Sequence, residues 1–287
     1  MKKICNTETI TNFVILYKGL KKQMLNFCSL YSGSTGNCLF VNSNHTNLLI
    51  DAGVSLKKIE QTLDYLEINP ETISGLLITH EHSDHIKSIG SISKKYNIPI
   101  YTNLETWNAI SEEQKQKIHP ENIHYFSIDE KFAIGNIEVL PFSIPHDAAN
   151  PCGFSLSHEF SKMSIATDLG HITPEILKNL EQSSFVMLES NYEPEVLKFS
   201  HYPYVLKKRI DGPNGHLSNI LAGQTISKLV PYGLKSVMLG HLSKENNFPE
   251  LAYRTVLEQL NKNNIADGTV CLNVANRNTP SPFINIA

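Results

Sequence analysis

Residues 80–85, which read His-Glu-His-Ser-Asp-His, constrain this chain more than any other segment. They bring three imidazoles and two carboxylates together directly after the apolar residues 76–78. So many nitrogen and oxygen donors in one short segment are typical of a metal site. In an extended chain residues i and i+2 point to the same side, so His80 and His82 are placed to bind one ion together.

The second half of this segment points further ligands at the same place. Isoleucines recur at helical spacing after His85, which predicts a helix over residues 84–96 with Ser83 as its N-cap. The first turn of that helix carries Asp84 and His85. Four ligands that arrive from two directions suit two adjacent ions better than one. The ordinary alternative is an exposed histidine-rich loop.

Length, charge and cysteine content limit the class of protein. The 287 residues, of which 41% are hydrophobic, suffice for one large core. No run approaches the ~18 apolar residues that a membrane span needs. The five cysteines are scattered without ligand spacing, which favours structural thiols in a reducing cytoplasm. The net charge of -3 does not indicate a polyanion-binding protein, although nucleic-acid binding needs only a local basic face. We therefore expect a cytoplasmic protein with no membrane segment and no organic cofactor.

Short apolar runs separated by turn residues alternate with helical patterns along the chain. One clear hairpin is predicted around Gly135 and Asn136, because apolar residues flank this turn dipeptide on both sides. No repeat, low-complexity segment or linker divides the chain. We therefore predict a single domain over residues 24–280, preceded by a dispensable extension over 1–23 and followed by a C-terminal tail over 281–287.

Residues that can bind a metal also stand at the ends of predicted strands elsewhere in the chain. They share this position although they lie far apart in sequence: Asp51, His80, His146, Asp168 and His241. The ends of strands along one rim of a sheet converge in space, which randomly placed histidines do only by chance. The sequence therefore predicts one site at the rim of a sheet.

In this order, these residues and the motif in residues 80–85 resemble the five motifs of the metallo-β-lactamase fold superfamily. The resemblance covers the chain from Leu25 to Val274. It implies an α/β (α+β) fold, a four-layer αββα sandwich of two mixed sheets. It also implies two divalent metal ions; Zn²⁺ suits the histidines, and Mn²⁺ suits a mixed shell of nitrogen and oxygen.

The ligand set that the resemblance implies has two parts and a bridge. One ion is bound by three histidines, the second by an aspartate and two histidines, a further aspartate bridges both, and an outer aspartate accepts a hydrogen bond from a ligating histidine. By this resemblance the first ion would be bound by His80, His82 and His146, and the second by Asp84, His85 and His241. Asp168 would be the bridge, and Asp51 would be the outer aspartate. Two such ions lower the pKa of a shared water toward ~7 and so provide a metal-bridging hydroxide as nucleophile. The implied reaction is hydrolysis, with Asp84 as a catalytic residue that orients the hydroxide.

Three features narrow the substrate within the superfamily, whose members hydrolyse lactams, thioesters and phosphodiesters. Oxygen-reducing di-iron members usually carry Glu where this chain has His82, and many β-lactamases carry Cys where it has Asp168. Glyoxalase-like thioesterases need a helical C-terminal part, for which the segment after His241 is short. A phosphodiesterase fits best. The alternatives are a small-molecule phosphodiester or thioester hydrolase and a non-catalytic metal-binding regulatory protein.

Further segments are similar to the WalJ/YycJ group of bacterial 5′-to-3′ DNA exonucleases, which implies a DNA substrate. These segments are residues 32–37, 189–192, 206–210, 215–219 and 240–247. His216 is not needed as a metal ligand, but a glycine-rich loop exposes it before a helix N-terminus, where anions are favoured. We expect His216 to be catalytic, either clamping the scissile phosphate or protonating the leaving 3′ oxygen. The alternative is a structural loop histidine.

Seven residues are predicted substrate contacts. They are of three kinds: turn residues whose backbone N–H groups can approach a phosphate, neighbouring basic residues on one segment, and the residue that caps a helix N-terminus. They are Gly33, Ser34 and Gly36; Lys207, Lys208 and Arg209; and Ser218. Each type also has an ordinary role, as a β-turn, a solvated basic face or a helix cap.

Overall fold

The computed structural model describes residues 24–287, so the extension predicted over residues 1–23 lies outside the described residues. Within this range the strands form two seven-stranded sheets. Each sheet combines antiparallel and parallel pairs.

The first sheet contains both ends of the described chain. Its strands are β1 (Leu25–Tyr31), β2 (Cys38–Asn42), β3 (Asn47–Ile50), β4 (Ile73–Leu77), β5 (Ile100–Thr102), β6 (Ile123–Tyr125) and β14 (Ile284–Ile286). They are ordered β14-β1-β2-β3-β4-β5-β6. Pairing is antiparallel from β14 to β3 and parallel from β3 to β6.

The second sheet begins with the predicted hairpin around Gly135, which is confirmed. Its strands are β7 (Phe132–Ile134), β8 (Ile137–Ser143), β9 (Cys152–His158), β10 (Ser161–Ala166), β11 (Phe185–Glu189), β12 (Ser236–Gly240) and β13 (Cys271–Val274). They are ordered β13-β12-β11-β10-β9-β8-β7, parallel from β13 to β10 and antiparallel from β10 to β7.

Short helices connect the strands. The α-helices are α1 (Leu56–Tyr65), α2 (Ser83–Ile86), α3 (Ile89–Tyr96), α4 (Leu104–Ala109), α5 (Glu112–Lys115), α6 (Pro174–Leu180), α7 (Pro194–Phe199), α8 (Tyr204–Ile210), α9 (Asn219–Leu229) and α10 (Pro249–Lys262). The 3₁₀ helices are Pro70–Thr72, Pro120–Asn122 and Val230–Tyr232. None of the helices in residues 24–287 has the length and hydropathy to cross a bilayer.

The two sheets pack face to face, with helices on both outer faces. Successive residues of a strand point to opposite faces, so Leu39 packs between the sheets while Phe40 packs against the helices. Phe27 and Phe185 join the two sheets, with ring centroids 4.7 Å apart. Helices α1 and α3 cover the first sheet, and α6, α9 and α10 cover the second. The predicted αββα sandwich is confirmed.

The helix predicted over residues 84–96 is divided into α2 and α3. Ser88 leaves the helical path, because its N–H donates to the carbonyl oxygen of Ala52 at 2.9 Å instead of continuing the helix. The predicted N-cap Ser83 is the first residue of α2, and His82 takes the N-cap position. This break holds the metal-motif segment against the end of β3.

The segment predicted as a C-terminal tail contains a strand. β14 pairs with β1, with Leu25 opposite Ile286, and the hydroxyl of Ser161 donates to the carbonyl oxygen of Ile286 at 2.7 Å. The sheet therefore extends beyond residue 280. The strand has only three residues, and its two isoleucines are separated by Asn285, so the apolar pattern was too short to predict it.

Candidate metal centre

The ends of strands from both sheets build the site. Asp51 follows β3, and residues 79–85 follow β4, which is parallel to β3. In the second sheet His146, Asp168, Glu189 and His241 lie at or just after the ends of β8, β10, β11 and β12. All predicted ligands come together there in one cluster.

Three of these strand ends have a left-handed backbone. The φ angles are 60° at Asp51, 60° at Asp168 and 54° at His241. For residues with a side chain this conformation costs roughly 1–2 kcal/mol each. Interactions in the surrounding structure offset this cost. The left-handed conformation directs each side chain from its strand toward the shared rim.

Three histidines form the first group of the cluster. The rings of His80 and His82 lie 4.6 Å apart between centroids, and the ring of His146 lies 5.1 and 5.0 Å from them. The Nε2 atom of His146 is 3.3 Å from Nδ1 of His82. Their donor atoms all lie within 4.8 Å of one another.

The second group contains Asp84, His85 and His241. The Oδ2 atom of Asp84 lies 3.6 Å from Nε2 of each histidine. Asp168 lies between the groups: its Oδ2 is 3.3 Å from Nε2 of His85, and its Oδ1 is 3.8 Å from Nε2 of His146. One carboxylate therefore faces both groups of donors.

The donor atoms fit divalent cations. Metal–nitrogen bonds of 2.0–2.1 Å in a tetrahedral site separate the ligand atoms by about 3.4 Å, close to the contacts above. Buried atoms without a hydrogen-bond partner in residues 24–287 include Nε2 of His80, Nε2 of His241 and Oδ2 of Asp168. Leaving such atoms unpaired is costly. The residues present therefore suit divalent metal binding.

Asp51 orients ligands of both groups. Its Oδ2 accepts a hydrogen bond from Nδ1 of His85 at 2.7 Å and from the hydroxyl of Thr79 at 2.8 Å. The same hydroxyl lies 3.0 Å from Nδ1 of His80. These contacts fix which ring nitrogen of each histidine faces the cluster. The structure thus places Asp51 beside the predicted ligands, in contact with His85 and Thr79.

Glu189 is a buried carboxylate that the sequence did not identify as a site residue. Its Oε1 accepts from Nδ1 of His216 and from Nδ1 of His241, each at 2.8 Å. Its Oε2 accepts from the backbone N–H of Leu169 at 2.9 Å and of Leu217 at 3.0 Å. Glu189 thus holds one predicted ligand and the predicted catalytic histidine with a single oxygen.

The charges in the cluster are strongly coupled. Burial opposes ionisation of Glu189, but the nearby His216 lowers the pKa of this carboxyl to about 2. Burial would lower the pKa of His241, but the charge of Asp168 raises it to about 10. The imidazole of His241 thus holds its second proton firmly, and a cation that binds at Nε2 of this ring would displace that proton.

Comparisons with known proteins place the chain in a family. The model of the Beta-lactamase superfamily domain matches residues 46–242. The chain belongs to the metallo-β-lactamase superfamily. Exodeoxyribonuclease YycJ of Bacillus anthracis is 36% identical over 244 residues, which are 85% of this chain and 92% of that protein. Exodeoxyribonuclease WalJ of Streptococcus pneumoniae is 34% identical over 232 residues, 80% of this chain and 86% of that protein. The predicted class of metal-dependent hydrolase is confirmed by these relatives.

Solved structures of the superfamily share the fold. YhfI from Bacillus subtilis superposes with a TM-score of 0.65 at 15% identity, covering 90% of this chain and 99% of YhfI. The short form of human tRNase Z gives a TM-score of 0.63 at 14% identity, covering 89% and 98%. At these identities the likeness concerns the fold alone.

His216 lies at the mouth of the cluster. Its ring centroid is 5.2 Å from that of His146 and 5.3 Å from that of His241. Its side chain is 20% exposed, whereas the other two are nearly fully buried. Glu189 contacts Nδ1 of this ring, so its Nε2 edge takes no part in that contact.

The glycine-rich turn after β1 supports the cluster from the side. The N–H of Gly33 donates to Oδ1 of Asn37 at 2.9 Å, and the N–H of Gly36 donates to the carbonyl oxygen of Gly33 at 3.0 Å. The side-chain nitrogen of Asn37 lies 3.1 Å from Nε2 of His85. The two glycine N–H groups are thus used inside the turn, contrary to the predicted phosphate cradle, and of the three predicted contacts in this turn only Ser34 is exposed.

The predicted basic residues lie on α8, beside the cluster. Nε of Arg209 is 2.5 Å from a carboxylate oxygen of Asp147, the residue after His146. Lys207 donates to the carbonyl oxygen of Lys198 at 2.8 Å, and Lys208 is exposed.

Ser218 corrects one prediction. Its hydroxyl accepts from the N–H of Leu221 and caps α9, and the residue is only 4% exposed. Burial leaves it no surface for a substrate, so the structure gives it the ordinary role of a helix cap.

Proposed function

We propose that this protein is a dinuclear metal-dependent exodeoxyribonuclease that degrades DNA in the 5′-to-3′ direction. The observation that carries the proposal is the buried cluster, whose two ligand groups share Asp168. The exodeoxyribonucleases YycJ and WalJ support a DNA substrate, because each is similar over most of its length. The direction of digestion and the number of ions go beyond those names.

The two groups of donors would hold one ion each. The first ion would be held by His80, His82 and His146, the second by Asp84, His85 and His241, with one oxygen of Asp168 for each. When bound, the ions would supply a bridging hydroxide at neutral pH and stabilise charge on the phosphate oxygens. Zn²⁺ or Mn²⁺ suits this mixture of nitrogen and oxygen donors.

Asp84 would orient the attacking oxygen. Its side chain is 25% exposed, so it reaches both the buried cluster and solvent. Its Oδ2 faces Nε2 of His85 and of His241, which leaves Oδ1 able to accept a hydrogen bond from the nucleophile. A carboxylate at this place fixes the direction of attack on the phosphorus.

His216 would act on the leaving group. Glu189 holds Nδ1 of the ring, so Nε2 points from a fixed position at the mouth of the cluster. An N–H at Nε2 would bind an oxygen of the scissile phosphate or protonate the 3′ oxygen as it leaves. Glu189 would serve as the positioning residue for this proton donor.

The basic residues of α8 would contact the DNA backbone. Arg209 is fixed beside His146 through Asp147, and Lys208 faces solvent on the same helix. Ser34, which is exposed in the turn after β1, would also contact the DNA.

The test is digestion of duplex DNA labelled at its 5′ ends, with metal-stripped protein reloaded with Mn²⁺ or Zn²⁺. The expected result is early release of labelled mononucleotide, which requires the metal and is lost in His82→Ala. The matched control is His119→Ala, because His119 is an exposed histidine outside the cluster. In a parallel digestion of the same duplex labelled at its 3′ ends, early release of the label would refute the direction. Hydrolysis of a small phosphodiester or thioester without any action on DNA would refute the nuclease.

A further inference from the structure

A helical hairpin beside the cluster exposes large apolar side chains. We define it as residues 194–210, which contain α7, a short turn and α8. Phe199 is 76% exposed, Tyr204 is 72% exposed and Val205 is 79% exposed. Side chains of this size are normally covered, and a group of them on one short motif marks a binding surface.

A lysine accompanies each exposed ring of the hairpin. Nζ of Lys198 lies 5.2 Å from the ring centroid of Phe199, and Nζ of Lys208 lies 5.7 Å from that of Tyr204. The surface thus alternates flat rings with positive charge. Interfaces between proteins are depleted of lysine, so this pattern does not favour a protein partner or a second copy of the chain.

The hairpin is positive although the chain is negative. Residues 194–210 contain four basic residues and one acidic residue, Glu195, whereas the whole chain has a net charge of -3. Glu195 lies 3.5 Å from Lys198. Arg209 is paired with Asp147, so the positive charge that remains is that of Lys207 and Lys208, and it is complementary to a polyanion such as a nucleic acid.

The hairpin is joined directly to the cluster. Nε of Arg209 contacts Asp147, next to the proposed ligand His146. After α8, residues 211–215 lead to His216, and the carbonyl oxygen of Gly215 accepts from Nδ1 of His146 at 3.1 Å. A strand bound on the hairpin therefore lies next to the residues proposed to cleave it.

A groove runs along the turn of the hairpin. Its volume is about 270 Å³, and Phe199 and Tyr202 contribute to its wall. Glu245 also lines the groove and lies 3.9 Å from Lys244. The groove provides room for a planar group against an aromatic wall.

We propose that the hairpin binds single-stranded DNA, with bases stacked on Phe199 and Tyr204 and phosphates held by Lys198 and Lys208. Aromatic faces are accessible only to bases that have left the duplex, whereas the lysines alone would serve duplex and single strand equally. The inference rests on the proposed nuclease function. It adds that the DNA is unpaired where it binds the hairpin and that this single strand leads into the cluster.

The test compares two double variants. In the first, Phe199→Ala and Tyr204→Ala remove the exposed rings of the hairpin. In the control, Tyr65→Ala and Phe160→Ala remove two exposed aromatics from α1 and from the turn between β9 and β10. Binding of labelled single-stranded and duplex oligonucleotides is measured by fluorescence anisotropy, and hydrolysis of bis(p-nitrophenyl) phosphate is measured in parallel.

Removing one stacking ring weakens binding at least about fivefold, so the hairpin variant is expected to lose roughly 25-fold or more in affinity for single strands. Duplex binding and hydrolysis of the small diester are expected to change less than about twofold, as in the control. Tyr204→Phe is expected to retain binding. Unchanged affinity for single strands, an equal loss for duplex, or conversion of a dimer to a monomer by the hairpin substitutions would overturn the proposal. Binding of DNA that the wild type never cleaves would refute the nuclease but not the binding surface.

Discussion

Replacing Glu189 by Gln tests how far one buried carboxylate organises the cluster. The substitution keeps the size of the side chain but exchanges one acceptor oxygen for a donor nitrogen. The carboxylate accepts from His216 and His241 with one oxygen and from the N–H groups of Leu169 and Leu217 with the other. An amide can serve only one of these pairs, so two donors lose their acceptor whichever way it turns.

The substitution is expected to lower both the free energy of unfolding and the affinity for metal. Each hydrogen bond to a charged group contributes about 1.5–3 kcal/mol, so losing two lowers the free energy of unfolding by about 3–6 kcal/mol. Loss of an acceptor for a ligating histidine typically lowers metal affinity by about 10–100-fold. That corresponds to about 1.4–2.8 kcal/mol of binding free energy.

The assay combines urea unfolding of the metal-free protein with calorimetric titration of Zn²⁺ or Mn²⁺. Glu193→Gln is the matched control, since Glu193 accepts from the side chains of Asn219 and Thr255 but contacts no histidine. We expect the control to lose stability and to keep its metal affinity. A Glu189→Gln protein that binds both ions as tightly as the wild type would refute the reasoning.

Three further substitutions, with a control for the last, test other parts of the site. Asp168→Ala should abolish turnover and weaken at least one ion, measured by metal analysis after dialysis; full activity with two tightly bound ions would exclude the bridging role. His216→Ala should leave metal content unchanged and slow DNA hydrolysis by about 10²–10⁴-fold, the usual range for a general acid; a fall in bound metal would show that His216 is a ligand. In Gly53→Ala the new Cβ would lie 1.6 Å from the carbonyl oxygen of Asp84, so stability and metal content should both fall. Gly233→Ala has no neighbour within 4 Å and should lose only about 1–2 kcal/mol from its left-handed backbone, as unfolding curves would show.

The site residues that could be predicted from the sequence share one simple property. Each follows an apolar strand, and the periodicity of strands can be predicted locally. Asp168 and His241 therefore fall in the cluster although they are distant from the 80–85 motif. Glu189 occupies the same kind of position, at the end of β11, so a charge closing an apolar strand was a signal for it as well.

Features that depend on distant contacts could not be predicted. The break at Ser88 is caused by a hydrogen bond to Ala52, which no local pattern encodes. The pairing inside the turn after β1 is local, but the residue types alone do not show it: the N–H of Gly33 donates to the side chain of Asn37, four residues further on, and is not available to a phosphate. Burial of Ser218 results from the packing of α9 rather than from its own neighbours.

The pairing of β1 with β14 has a consequence for synthesis of the protein on the ribosome. The two strands lie about 260 residues apart in the chain. At roughly 5–20 residues per second, β14 is made on the order of 10–50 s after β1. Until then one edge of β1 has no partner strand, and such an edge is a template for pairing with other chains. The nascent protein is therefore most prone to aggregate before β14 has been synthesised. Premature release would leave this edge of β1 permanently without its partner strand.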